Sequence, residues 1–357
     1  MELLTLDCLG QPLHLEASTA GWQALFWNNQ QVSRIKIAES NQAHEFQLQA
    51  EQRLIHCRLE VELQWQPFVL NYRLYADNEL LEQGARTPKD IERQLPTSKP
   101  VAKTKPNWFG LAALGFKLLK SAKIIKVVLA GASLAAYSWL FSVQFALALI
   151  ACLVVHEYGH IRAMHYFGMR TKGIYLIPFV GGLALSKEPV NSRWQMVVIA
   201  MMGPCFGLLM SLGCLLAYWI TDAEFFGGLA AFSALLNLFN LLPILPLDGG
   251  HVLKSISFSM NSTLGIASCA IAAALGVYLS YSLGLALLGF LLLIGSVEIL
   301  FEWRSRHLQP LLPLDRYGQL FSILWYLLTL LGLVGIIWYF AGTGDAILGL
   351  PLSVLQS

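Results

Sequence analysis

His156, Glu157 and His160 spell HEYGH, and the stretch leading into them, LALIACLVVHEYGH, is apolar enough for a bilayer. On a helix, residues four apart share a face about one turn from each other, so the two imidazoles reach one ion while Glu157 stands on a neighbouring face. HExxH is the pattern in which two histidines hold zinc and the glutamate is a general base. A catalytic Zn2+ takes three protein ligands and keeps a position for water. Glu157 is placed to take the proton of that water and pass it to a leaving amine. Ionisable side chains inside a span are costly and mark function.

The third ligand must come from elsewhere in the chain, and two acidic residues in later apolar segments are candidates. Asp248 lies in NLFNLLPILPLDGGH, after Pro243 and Pro246 and before Gly249 and Gly250. The prolines cannot continue a helix and the glycines permit tight backbone geometry, so a broken helix presents this carboxylate. Backbone broken at membrane depth is tolerated only where protein or a water cavity covers it. Glu298, in LIGSVEILFEW, sits on an unbroken apolar run near its polar end. The residues favour Asp248 and leave Glu298 open.

The elements that position these groups are predominantly apolar. Of 357 residues, 56% are hydrophobic and 13% charged, against about 45–50% and 25% in soluble domains. The imbalance is concentrated in residues 127–341, where apolar segments near 125–142, 145–167, 193–220, 225–242, 262–281, 283–302 and 318–341 each approach the length of a span. The expected fold is therefore a polytopic α-helical membrane protein of seven spans, with its core motifs at 145–258. Lys and Arg cluster before the first span, around 162–193, at Lys254 and at 304–316, whereas the alternate loops and the tail 342–357 carry none. This bias predicts a cytoplasmic N-terminus and an exoplasmic C-terminal tail.

Residues 1–90 read differently. VSRIKIAE, HEFQLQAE, LIHCRLEVELQW and FVLNYRLYAD alternate apolar and polar residues between turn-forming stretches, which predicts an all-β domain, a small sandwich. Its scattered His14, His44 and His56 read as packed or surface residues. Residues 91–107 are polar, lysine-rich and proline-punctuated, as in a linker, and 108–126 suit an amphipathic helix on the membrane surface. No cleaved secretory signal is visible at the N-terminus. The six cysteines have no metal or redox spacing, and a net charge of +2 without a basic block argues against a nucleic-acid partner.

With HEYGH in one span and NLLPILPLDGG in a later one, the sequence resembles the site-2 protease family of intramembrane zinc metalloproteases over residues 125–260. The resemblance implies His156, His160 and Asp248 as zinc ligands, Glu157 as catalytic base, and Asn240 in substrate handling. GIYLIPFVGGLALS (173–186) resembles the family's membrane-dipping β-hairpin, with Gly181, Gly182 and Leu183 near its turn as substrate-binding positions. An exposed strand edge there would hold an unwound substrate by main-chain pairing. MMGPCFG (201–207) resembles the family's G-P-x-x-N, but Gly207 stands where the asparagine is expected.

The function implied is hydrolysis of peptide bonds in or near transmembrane segments of membrane proteins. The lipid bilayer and a substrate bearing a transmembrane helix are the partners, and a bacterial inner membrane is the setting. Two other functions remain open at this point. One is a prenyl-protease or heat-shock type of membrane zinc protease, in which Glu298 would be a ligand. The other is a non-catalytic sensor or scaffold, for which an intact Glu157 would have no use.

Overall fold

A computed structural model describes residues 1–18, 21–36, 43–50, 53–94, 122–140, 143–177, 181–282 and 311–342, with Leu292, Gly295 and Ile299 as isolated positions. The chain begins with eight antiparallel strands: β1 (Glu2–Cys8), β2 (Gln11–Ser18), β3 (Trp22–Trp27), β4 (Gln30–Lys36), β5 (His44–Ala50), β6 (Arg53–Trp65), β7 (Phe68–Ala76) and β8 (Glu79–Arg86). They form two four-stranded meanders, β1-β2-β3-β4 and β5-β6-β7-β8. Alternation does the sorting: inward Phe68, Leu70, Tyr72, Leu74 and Ala76 of β7 are buried, while the residues between them face out. Both sheets contribute to one core, in which Leu4, Leu6, Leu13 and Leu15 meet Leu48, Leu59, Leu70 and Leu74.

Tight turns set the registers. Asn28–Asn29 and Asp77–Asn78 all have positive φ, as two-residue hairpin turns require. Of the histidines, His44 is fully buried, with Ser33 Oγ at 2.9 Å and Gln23 Oε1 at 3.1 Å. Burial pushes its pKa down to about 4, so it packs as a neutral ring. His56 is exposed.

The stretch expected to begin a linker at 91 instead starts inside a helix, α1 (Pro88–Arg93). Thr87 is its cap: the Thr87 amide and hydroxyl donate to Asp90 Oδ2 at 2.8 and 2.7 Å, with proline at the first helical position. The rest of the linker, and residues 108–121 of the expected surface helix, lie outside the described residues.

Seven further helices and a hairpin follow: α2 (Ala122–Leu140), α3 (Val143–Tyr166), β9 (Thr171–Ile177), β10 (Gly181–Ser186), α4 (Arg193–Thr221), α5 (Glu224–Asn240), α6 (Asp248–Met260), α7 (Ser262–Ser282) and α8 (Arg316–Ala341). Among the described residues, four helices are long and apolar enough to cross a membrane: α3, α4, α7 from Thr263, and α8. Helices α2 and α5 fall on the expected first and fourth segments but are shorter in apolar content or length. The segment expected at 283–302, with Glu298, lies outside the described residues apart from the isolated positions.

The all-β region is not merely tethered. Asn191 Nδ2 donates to the carbonyls of Ile91 (3.2 Å) and Gln94 (2.8 Å), Ser192 Oγ to Glu92 Oε1 (2.9 Å), and Gln195 Nε2 to Glu92 O (2.8 Å). Ser192 also caps α4 by accepting from the Gln195 amide, so α1 docks on the start of the helix that packs against HEYGH.

Candidate metal centre

Helix α3 carries the two histidines, and small residues let α4 come close to it. A Cβ at Gly159 would strike the Met202 carbonyl, and one at Gly203 would press on Nε2 of both His156 and His160. Glycine at 203 therefore leaves room where the imidazoles converge.

Helix α5 stops at Asn240, and the segment before α6 is held by short turns, Leu247 N–H to Ile244 O at 2.9 Å among them. The Leu245–Pro246 peptide is cis. Helix α8 covers this break, with Tyr326 Oη donating to the Leu241 carbonyl at 2.5 Å. Protein thus satisfies a carbonyl that the helix break leaves without its intrahelical donor. Gly249 and Gly250 let the first turn of α6 fold back on Leu241, Leu242 and Ile244, where side chains would collide with backbone. Asp248, the first residue of α6, is thereby aimed at the histidines.

The result is a triad. His156 Nε2 and His160 Nε2 are 3.1 Å apart, and Asp248 Oδ2 lies 3.3 Å from the first and 3.5 Å from the second. Tetrahedral zinc with bonds near 2.0–2.1 Å separates its ligand atoms by about 3.3 Å. The donor chemistry agrees. His160 Nδ1 is 2.7 Å from the Ile199 carbonyl, which only accepts, so Nδ1 carries the proton and Nε2 presents its lone pair. His156 Nδ1 is 2.7 Å from Asn237 Oδ1. Asn237 Nδ2 already donates to Ser233 O at 2.7 Å, so its oxygen is the atom facing the ring. Two imidazole lone pairs and a carboxylate thus face one point, and a cation belongs between them. His156, His160 and Asp248 form a possible metal site.

Glu157 is buried beside the triad, its Oε1 3.9 Å from His156 Nε2. It is close enough to act on a water there without joining the ligand set. Strand β10 passes over it: a Cβ at Gly182 would collide with its carboxylate. Hairpin β9–β10 pairs Gly181 with Ile177, Gly182 with Leu176 and Leu183 with Tyr175. Gly181 and Gly182 therefore open β10; residues 178–180 of the turn are outside the described residues. Lys126 of α2 secures the other strand, donating to Lys172 O at 2.6 Å and lying over the Tyr175 ring at 4.9 Å.

A cavity of about 370 Å³ joins these parts, lined by the triad, Glu157, Gly182, Leu183, Asn240 and His251 among others. Asn240, at the end of α5, donates to Leu236 O at 3.2 Å and borders this space. His165 is not with the triad; its Nε2 is 3.3 Å from Thr171 Oγ1 at the start of the hairpin. Asn237, three residues before Asn240 on one helical face, reads from the sequence as a candidate for interhelical hydrogen bonding; the structure makes His156 its partner.

A largely buried His-His-Asp triad with an adjacent carboxylate, carried on apolar helices, is a possible metal site. Residues 144–224 and 219–283 match the model of peptidase family M50, the site-2 protease family, so the resemblance seen in HEYGH and NLLPILPLDGG is borne out over the segment that carries them. Relatives include a Synechocystis sp. protein named as a candidate zinc metalloprotease, 37% identical over 36% of this chain and 35% of its own length. A zinc metalloprotease of Methanocaldococcus jannaschii is 29% identical over 50% of this chain and 54% of its own. Stage IV sporulation protein FB of Bacillus subtilis is 28% identical over 45% and 59%. The matches thus span between about a third and three fifths of these curated relatives.

Proposed function

We propose that the protein is an intramembrane zinc endopeptidase that cleaves membrane proteins in or near their transmembrane segments. The observation that carries this reading is the convergence of His156, His160 and Asp248 with Glu157 outside the triad and a strand lying on Glu157. Bound zinc would polarise a peptide carbonyl and acidify water. With zinc held by His156, His160 and Asp248, Glu157 would take a proton from a water as the water oxygen bonds to the carbonyl carbon, and return that proton to the amine nitrogen as the C–N bond breaks. The close approach of Gly182 and the walls of the cavity confine the carboxylate. An unwound substrate pairs with β10, which frees its scissile carbonyl from helical hydrogen bonds, and Asn240 orients the segment from the opposite wall. Comparing membrane proteins in the native host with and without this chain tests the reading. At least one is expected to accumulate uncut; unchanged lengths throughout would overturn it.

The strand-addition step makes its own prediction. Leu183→Pro removes a backbone donor at the position paired with Tyr175 and distorts the edge. Both Leu183→Pro and Asn240→Ala should retain zinc. Both should cut a transmembrane substrate about tenfold or more slowly, in line with misplaced geometry. A short peptide that is already extended should suffer less from the proline. Equal losses on both substrates, or none, would remove the hairpin from the mechanism.

Loop charge supports an arrangement with seven spans, a cytoplasmic N-terminal domain and an exoplasmic tail, in a bacterial inner membrane. A reporter active only in the cytosol should work when fused after residue 100 or 310 and be silent at the C-terminus. A working C-terminal fusion would mean a different number of spans, most simply between 283 and 341.

A further inference from the structure

Asn237 and Gly207 occupy one space. Gly207 lies on α4 and Asn237 on α5, both buried, and a Cβ built at 207 would fall on the carboxamide of Asn237. That carboxamide is fixed at both ends. Nδ2 donates to Ser233 O one turn back on its own helix, and Oδ1 lies 2.7 Å from His156 Nδ1.

We infer that Asn237 is the positioning residue for His156, and that glycine at 207 is what admits it. The inference rests on the proposed zinc site. The reasoning is geometric. An imidazole on a helix turns about its side-chain torsions unless its second nitrogen is held, and an acceptor on Nδ1 selects the tautomer that leaves Nε2 for a metal. His160 obtains that acceptor from backbone, the Ile199 carbonyl. Among the described residues, the partner of His156 Nδ1 is instead a side chain from a different helix. A side chain at 207 would enter the same space from α4, facing Asn237 on α5. This chain has glycine there and the carboxamide at 237, so one group fills the site from the opposite side. Two would not fit.

The two positions should therefore be exchangeable as a pair. Asn237→Leu keeps the volume but removes the acceptor, and should weaken zinc binding about 10–100-fold, the usual cost of an outer partner of a ligating histidine. Asn237→Asp keeps an acceptor oxygen and should stay within a few-fold of wild type. Gly207→Asn alone places two carboxamides in one space and should lower both yield and zinc affinity. Gly207→Asn combined with Asn237→Gly should recover most of the affinity lost in Asn237→Gly.

Zinc affinity is read by chelator competition on purified full-length protein in detergent, with the cobalt(II) absorption spectrum reporting ligand geometry independently of activity. Unchanged affinity and spectrum in Asn237→Leu would overturn the positioning role. A double variant no tighter than Asn237→Gly would overturn the exchange. Wild-type protein that binds no zinc would instead remove the metal site on which both depend.

Discussion

Glu157→Gln is expected to slow cleavage of a transmembrane substrate by about 10²–10⁴-fold, the contribution of a positioned general base, while bound zinc stays near about one per chain. The separation follows from geometry. Glu157 Oε1 is 3.9 Å from His156 Nε2, whereas the three facing atoms of the His156–His160–Asp248 triad lie 3.1–3.5 Å from one another. Glutamine has the same shape, so β10 should remain seated over it at Gly182. What it lacks is a site that takes up a proton. Zinc content by elemental analysis and single-turnover cleavage in proteoliposomes measure the two effects apart. Cleavage at the wild-type rate would exclude Glu157 as the base, and loss of zinc would make it a ligand.

Asp248→Ala should remove both activity and metal. Its Oδ2 is the only carboxylate oxygen in the described triad, and without it two neutral imidazoles face each other with no anion to offset the ion's charge. The loss in zinc affinity should exceed the about 10–100-fold that an outer-shell partner costs. Glu298→Ala should alter neither metal nor rate. The opposite pattern, in which Glu298→Ala strips zinc and Asp248→Ala does not, would move the third ligand to the later segment and favour the prenyl-protease type of site. Asp248→Asn is a useful companion because it preserves shape at the first turn of α6, so a loss there reports charge and donor chemistry and not a collapsed helix start.

Much of this site was legible in the linear sequence because its rules are local. Two histidines four apart must share a helical face, and prolines flanking 243–246 must break a helix whatever surrounds them. Strand alternation in FVLNYRLYAD likewise reports burial on one side of a sheet without knowledge of the partner sheet. The apolar segments predicted at 145–167 and 193–220 correspond to helices Val143–Tyr166 and Arg193–Thr221. The capped start of α1 was written in TPKD as well, but its polar, charged residues resemble linker composition, and only the burial of Ile91 distinguishes them.

Other features depend on contacts between residues far apart in the chain, which no period or motif encodes. That Gly203 opens the space for two imidazoles, that Asn237 reaches His156 from 81 positions away, and that Glu92 meets Ser192 and Gln195 are outcomes of helix packing. So is the approach of Asp248 Oδ2 to both histidines. The sequence determined which side chains could bind a metal and on which elements they would ride. Only the tertiary structure decided which of them meet, because ligand geometry is set by the close approach of α3, α4 and the broken turn before α6, and that approach is a property of packed surfaces.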